Sequence, residues 1–413
     1  MTLNREDISV NLQSIEKSIE EDEVVKLACD LIRIPSPTEA EQDAMEFVEG
    51  LFDREGIESY RQEVEPGRFQ LVARIPGNGG SSSFMLNGHL DNDSLTASWE
   101  WDPYEPRIDG NRLWGAGIHN MKSGVTAMLS AAFAIKRSGV PLDNDLIIAV
   151  VVGELQGGKG TLHMLRSGVQ AASAIVPEPY SVQRIITKCA GVHKCSITTI
   201  GRSVHTSRSE TGIDAIQKML RVIPTLDQID FSVSDPDLPG LPKLLVASII
   251  GGRGRDYDLS GPSNISDICT CIIDIRYPPG ISSEDIDELI RAHLEGLQRN
   301  DPDLRWEYSR PPDPRFRVGG ADMPPTNGSP SSQIVQVLRE CHYEITGEEI
   351  AEVGVVLPFS YTGNDTAHLL RAGVDCCLYG PRGYADDVEK HVRIDEMLIC
   401  ARVLTRVALQ RCL

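Results

Sequence analysis

The chain reads as an α/β protein, a doubly wound sheet into which a smaller α+β domain is inserted. Three observations predict this. Short, almost wholly apolar runs such as 146–152 alternate with segments of helical period, as strands buried on both faces alternate with their crossover helices. From about Ala190 the texture changes, and residues 194–200 and 267–277 alternate apolar with polar side chains, as half-exposed antiparallel strands do. The length of 413 residues accommodates two or three domains, each with its own core.

The elements follow in order. Residues 10–55 carry helical periodicity, interrupted by Ile34-Pro35-Ser36-Pro37-Thr38, where two prolines force a loop before a helix restarts through Glu39. Strands are expected at 71–75, 84–86, 146–152, 174–176 and 375–379, with helices at 123–137 and 162–168 between them. In the insert, helical patterns at 212–228 and 283–297 fit between and after the two alternating strands, a β-α-β-α order. Gly, Pro and Ser mark 77–83 and 311–332 as loops or linkers. The expected domains are 1–190 and 309–413, two parts of one unit, and 191–308, the insert.

Composition excludes several function classes. A net charge of −20 argues against nucleic-acid or anionic-membrane partners, and no apolar run approaches membrane-spanning length. Charges interrupt the N-terminal segment too often for a signal-peptide core. The ten cysteines show no disulfide-scaffold spacing, and most lie in apolar strand-like runs, so buried reduced thiols and a cytoplasmic location are expected.

The candidate chemical residues all follow strand-like runs. His89 and Asp91 come after 84–86, Glu154 after 146–152, Glu178 after 174–176, and His391 follows 375–379 by a loop. Ligands of open α/β sheets bind beyond the carboxyl ends of the strands, so these side chains can converge on one cleft. Spacing of two lets His89 and Asp91 project to one side of an extended segment, where a carboxylate fixes the tautomer of a metal-ligating imidazole. Alone, a His-x-Asp pair is also an ordinary incidental pair, and Glu178 between two prolines an ordinary turn acid.

In combination the motifs are more specific. Gly88-His89-Leu90-Asp91, Trp101-Asp102-Pro103-Tyr104, Leu113-Trp114-Gly115-Ala116-Gly117 through Asn120-Met121-Lys122-Ser123-Gly124, Glu154 with Gly157-Gly158-Lys159-Gly160, Glu178-Pro179, Gly201-Arg202-Ser203-Val204-His205-Thr206-Ser207, Gly363-Asn364-Asp365 and His391 follow in an order that closely resembles the M20 metallopeptidase/amidohydrolase family. The resemblance spans nearly the whole chain. It implies a catalytic α/β domain with two clustered metals and an inserted lid that mediates dimerisation. By position, His89 and Glu178 would bind the first metal, Asp91 would orient His89, Glu154 would be the general base and His391 a ligand of the second metal. His205 would reach the partner subunit's active site, and Asn264, Arg276 and Asn364 sit where the family contacts substrate.

Two positions depart from that pattern. Asn120 stands where a bridging Asp is expected and Leu155 where the second metal takes an acid. An amide offers one neutral oxygen, a poor bridge between cations, and a leucine offers nothing. The expectation is therefore one divalent metal per subunit (Mn, Zn or Co) on His89, Asn120 and Glu178, with His391 released to meet substrate. His119 is left open between a replacement ligand and a structural or substrate-facing role. Retention of Glu154 favours an active hydrolase of a C–N bond over a binding pseudoenzyme. A one-metal site suits a substrate that is itself an electron sink, and through the loss of the second site the chain resembles a family member acting on such an activated aromatic amine. The resemblance implies hydrolytic deamination of 5-nitroanthranilate to 5-nitrosalicylate plus ammonia, with hydrolysis of an N-acyl amino acid or peptide as the alternative. The partners expected are a carboxylate-bearing small molecule and a second copy of the chain, as a homodimer or higher homo-oligomer.

Overall fold

The structure is a computed structural model that describes residues 12–92, 95, 99–260, 263–310, 322–384 and 390–413. The chain divides into two compact units. One comprises the chain through Lys188 with Thr326–Ser360 and Asn364–Leu413; the other comprises Cys189–Pro325 with Tyr361–Gly363.

The first unit is built on an eight-stranded sheet: β1 Glu58–Glu65, β2 Arg68–Ile75, β3 Phe84–His89, β4 Leu146–Val151, β5 Ser173–Val176, β6 Arg184–Ile186, β7 Glu352–Gly354 and β8 Asp375–Leu378. Their spatial order is β1-β2-β4-β3-β5-β8-β6-β7. The central strands β4, β3, β5 and β8 pair in parallel, while β1, β2 and β4 pair antiparallel, so the sheet is mixed. Every residue of β3, β4 and β5 is buried, which is why β4 and the Phe84-Met85-Leu86 start of β3 are apolar without alternation. β1 (ESYRQEVE) is a polar edge strand, and its sequence carries little strand signal.

Helix Ser123–Ser138 runs as its period predicts, capped at its end by Gly139 at φ +64°. Its Ala-rich sequence is buried along most of its length, and it packs against the last helix, Ile394–Cys412. The helix expected at 162–168 starts earlier, at Lys159, because Gly158 takes the left-handed conformation that turns the chain into it.

The insert has four strands rather than two. Its antiparallel sheet runs Lys243–Gly252, Ile268–Tyr277, Gly191–Ile200, Arg305–Ser309. Helices Ala215–Val222 and Ser283–Asn300 cover one face, and Ile197, Cys271, Ile273, Met219, Ile290 and Leu294 fill the core between. The second helix begins with a capping box of Ser282 and Asp285, and the first is capped by Asp214. Lys243–Gly252 escaped the sequence pattern because its apolar residues do not alternate; most are exposed at the sheet edge.

The insert also extends beyond the expected end at 308. Val192 and Met323 exchange backbone hydrogen bonds, and Arg310 pairs with Asp322, so the polypeptide up to Pro325 belongs to this unit. Of the loop expected at 311–332, residues 311–321 lie outside the described residues, as does the beginning of the first helical pattern at residues 10–11. All ten cysteines are buried and none forms a disulfide. Among the described residues no helix is long and apolar enough to cross a membrane.

Candidate active site

Three strand ends of the first unit converge. His89 is the last residue of β3, and Glu154 and Glu178 follow β4 and β5 by three and two residues. His89 Nε2 lies 3.6 Å from Glu178 Oε1 and 3.7 Å from Glu154 Oε2. All three side chains are buried, His89 to 1% exposure.

The orientation of His89 follows from its other nitrogen. Nδ1 faces two acceptors, the Asp91 carbonyl oxygen at 2.9 Å and Asp91 Oδ1 at 3.2 Å, so Nδ1 carries the proton. When the ring is neutral, as a metal ligand must be, its Nε2 lone pair is directed at the two glutamates; this buried atom has no hydrogen-bond partner. The Asp91 carboxylate also accepts the backbone N–H groups of Glu154 and Leu155, each at 3.0 Å, and the Thr38 hydroxyl at 3.3 Å. Leu155 thus contributes its backbone to the site.

Close approach holds the pieces together. A Cβ on Gly124 would sit 2.0 Å from the Pro177 carbonyl oxygen, so only glycine lets the helix start against the Glu178 loop. A Cβ on Gly158 would meet Asp365 Oδ1 at 2.7 Å, which sets Asp365 against the turn that carries Glu154.

Asp365 is the residue that sequence reasoning missed, although it stands in the Gly363-Asn364-Asp365 motif. It is fully buried, and neither of its oxygens has a well-formed hydrogen bond. Burial raises its carboxyl to about 7, with the charges of Glu178 and Asp91 adding and that of His89 opposing. Glu154 is likewise pushed well above the carboxylate range by burial, then by Glu178, Asp365 and Asp91 against the pull of His89. Asp91 goes the other way: burial disfavours its charge, but His89 and the two N–H donors more than compensate and hold it low. Burial also opposes a charge on His89, yet the surrounding carboxylates carry its value well upward.

Four buried carboxylates around one imidazole concentrate more negative charge than a single imidazolium offsets. Asn120 adds a neutral oxygen. It lies in the turn Ile118–Lys122, which packs against β3, at a break in helical geometry (φ −105°, ψ −140°), and its Oδ1 is buried without a hydrogen-bond partner. The orphaned His89 Nε2 and Asn120 Oδ1 and the excess of negative charge fit a divalent cation. Among the described residues no three or more His, Cys, Asp or Glu side chains are arranged to hold a metal ion by themselves.

The Asn120 turn is anchored by Lys122, whose buried ammonium donates to the carbonyls of Leu31 and Ile34 at 2.8 Å each. Burial lowers its value to about 7. His119 and Asn120 line a cleft together with Asn92, Leu95, Trp99 and Lys390. Burial, then the nearby charge of Lys390, lowers His119 to about 3 and keeps its ring neutral.

The other anticipated substrate residues have occupations of their own. His391 stacks on Tyr384 with ring centroids 4.7 Å apart and leans on Trp114 at 5.3 Å, both neighbours in a small antiparallel sheet. Asn364 is fully buried and its Oδ1 caps the backbone of Thr366, leaving one buried amide donor without a partner. In the insert, the guanidinium of Arg276 is paired with both oxygens of Asp274, at 2.7 and 3.1 Å. That pair already offsets the charge expected to anchor a substrate carboxylate. His205 is exposed, its Nδ1 accepts from the Ser207 N–H, and its backbone bridges to Asn264; residues 261–262 of the Asn264 motif lie outside the described residues.

Known proteins resemble this chain over nearly its whole length. The N-formyl-4-amino-5-aminomethyl-2-methylpyrimidine deformylase of Halalkalibacterium halodurans is 29% identical over 422 aligned residues, covering 95% of each chain. The Bacillus subtilis deformylase of the same description is 26% identical over 97% of this chain and 98% of its own. Among solved structures, a dipeptidase of Saccharomyces cerevisiae superposes with TM-score 0.75 at 13% identity, covering 97% of this chain and 98% of the other. An M20 family metallo-carboxypeptidase of Sulfolobus solfataricus gives 0.75 at 14%, covering 94% and 99%. The profile described as Peptidase family M20/M25/M40 matches residues 85–410, so the chain belongs to that family of hydrolases.

Proposed function

We propose that this protein is a metal-dependent amidohydrolase that removes an acyl group from a small amine. One divalent cation (Mn, Zn or Co) would be held by His89, Glu178 and Asn120, with Glu154 as the proton carrier. The observation that carries this reading is the orphaned Nε2 of His89 between Glu154 and Glu178, backed by Asp91. A cation there supplies Lewis acidity to the carbonyl and makes water a better nucleophile. Glu154, made more basic by burial and then by its acidic neighbours, takes the proton from water and returns it to the departing nitrogen.

This replaces the expected deamination of 5-nitroanthranilate. That expectation rested on the altered half-site alone, whereas the relatives matched over nearly their whole length are deformylases, which cleave an amide. Loss of Asn120 and Leu155 as acids is thus better explained as a change of metal number within amide hydrolysis. A reducing, cytoplasmic compartment is supported by the ten buried thiols. Assembly with a second copy is supported by the edge strand Lys243–Gly252, which exposes Leu245, Val246, Ile249 and Ile250.

The test is a metal count on the purified protein, followed by assay with Mn, Zn or Co. N-formyl, N-acetyl and N-succinyl amines and 5-nitroanthranilate would be compared. One metal per chain and release of a free amine from an acyl substrate are expected. Two tightly held metals would overturn the single-site reading, and turnover of the nitroaromatic alone would overturn the acyl reading.

A further inference from the structure

We propose that Gln156 is a positioning residue for Glu154. Held across its side chain by Arg68 and Glu39, it fixes the turn that keeps the Glu154 carboxylate beside His89 Nε2. The kinetic consequence rests on the amidohydrolase reading; the hold on the turn does not.

The turn that carries Glu154 is rich in glycine. Gly153, Gly157 and Gly158 take φ of +67°, +81° and +71°, and glycine gives up more conformational freedom on ordering than any other residue. Side chains from distant segments hold the turn in place. Asp91 accepts the N–H groups of Glu154 and Leu155 at its start, and His368 Nε2 lies 2.7 Å from the Gly157 carbonyl oxygen at its end. The middle belongs to Gln156, which is 4% exposed. Its Oε1 accepts from Arg68 Nη1 at 2.6 Å and its Nε2 donates to Glu39 Oε1 at 2.8 Å, so both polar atoms of the amide are in use.

The groups that hold Gln156 are themselves fixed. Arg68 is buried and donates from Nε to Glu41 Oε2 at 3.0 Å, with a second, close contact from Nη2 to Oε1 of the same fully buried carboxylate. A guanidinium forked on one carboxylate cannot swing, so its bond to Gln156 has a set direction. Glu39 stands in the left-handed region at φ +76°, which non-glycine residues rarely adopt and which persists where the surrounding structure enforces it. The same loop reaches the other side of the site, where Ser36 donates to the Leu90 carbonyl oxygen at 2.7 Å and Thr38 to Asp91. Residues 36–41 thus tie the strand end bearing His89 to the turn bearing Glu154, the two groups whose spacing the reaction needs. A buried Arg–Glu pair returns little stability for its desolvation, and defined geometry is the better account of this one.

The test acts on Gln156, because removing Arg68 would strand the buried charge of Glu41. Gln156→Met keeps the length and loses both hydrogen bonds. Gln156→Glu keeps the acceptor for Arg68 but sets a carboxylate against Glu39, and adding Glu39→Gln restores a donor across that bond. The substrate is whichever of the N-formyl, N-acetyl and N-succinyl amines the wild type hydrolyses. Each single variant should lose about tenfold in kcat, with KM and zinc affinity within about twofold of wild type, and the double variant should recover most of the loss. In the metal-free protein, hydrogen exchange of residues 153–158 should quicken about tenfold in the single variants and return in the double. Unchanged kcat in Gln156→Met, a loss that falls on KM or zinc affinity instead, or one that the double variant does not recover, would overturn the positioning role and leave the amidohydrolase reading standing. If no amide is hydrolysed with any metal, that reading fails and exchange alone decides. Quickening that the double variant reverses supports the hold on the turn, and exchange that is unchanged in Gln156→Met or not restored overturns it.

Discussion

Asp91 reaches His89 through one carboxylate oxygen, 3.2 Å from Nδ1, and through its own carbonyl oxygen at 2.9 Å. The same carboxylate holds the backbone of Glu154 and Leu155. One side chain therefore fixes the tautomer of the candidate metal ligand and the position of the candidate base.

Asp91→Asn should expose that double duty. The amide keeps the size but loses the charge and one acceptor, so His89 is free to adopt the other tautomer. Metal affinity and kcat should each fall by roughly tenfold to a hundredfold. Titration calorimetry with zinc and steady-state kinetics would check this, and unchanged metal affinity would remove Asp91 from the orienting role.

Glu154→Gln separates proton transfer from metal binding. The variant should bind metal at least as well as wild type while kcat falls by about 10²-fold or more. Full activity in the variant would show that another group carries the proton.

Asp365→Asn tests the crowded charge through pH. The folded-state value of Asp365, about 7, lies above its ordinary 3.8. Between those two values the folded chain keeps a proton that the unfolded chain has lost, so this group's contribution to stability falls as pH rises. The metal-free variant should gain thermal stability relative to wild type as pH goes from about 4 to 7, with the gain complete above that window. His89, also raised, acts with the same sign, which is why the difference between wild type and variant is the quantity to measure. A difference in Tm that stays flat across the window would refute the assignment.

Ile249→Lys addresses the exposed edge. Ile249 is 49% exposed on the edge strand of the insert. A charge at that position should prevent edge-to-edge pairing of two copies, converting a dimer to a monomer in light scattering while leaving the fold intact. A wild-type monomer, or a variant that remains dimeric, would exclude this edge as the interface.

Much of the site was legible because its parts are local to strand ends. His89, Glu154 and Glu178 each follow an apolar run, and such runs deliver their next polar residue to the same end of a parallel sheet. The edge strands were less legible. Glu58–Glu65 is polar and Lys243–Gly252 lacks alternation, because neither has the pair of covered faces that imposes a pattern.

The sequence by itself determined the α/β alternation, the position of the insert and the residue types that can hold a cation, since periodicity and strand-end position are properties of neighbouring residues. Tertiary structure decided which of those residues carry perturbed charge. Asp91 meets Leu155 across 64 positions, Gly158 packs on Asp365, Arg276 is already paired with Asp274, and Lys390 comes to His119. Burial and electrostatic partnership depend on contacts between distant segments, and one residue's identity does not specify them.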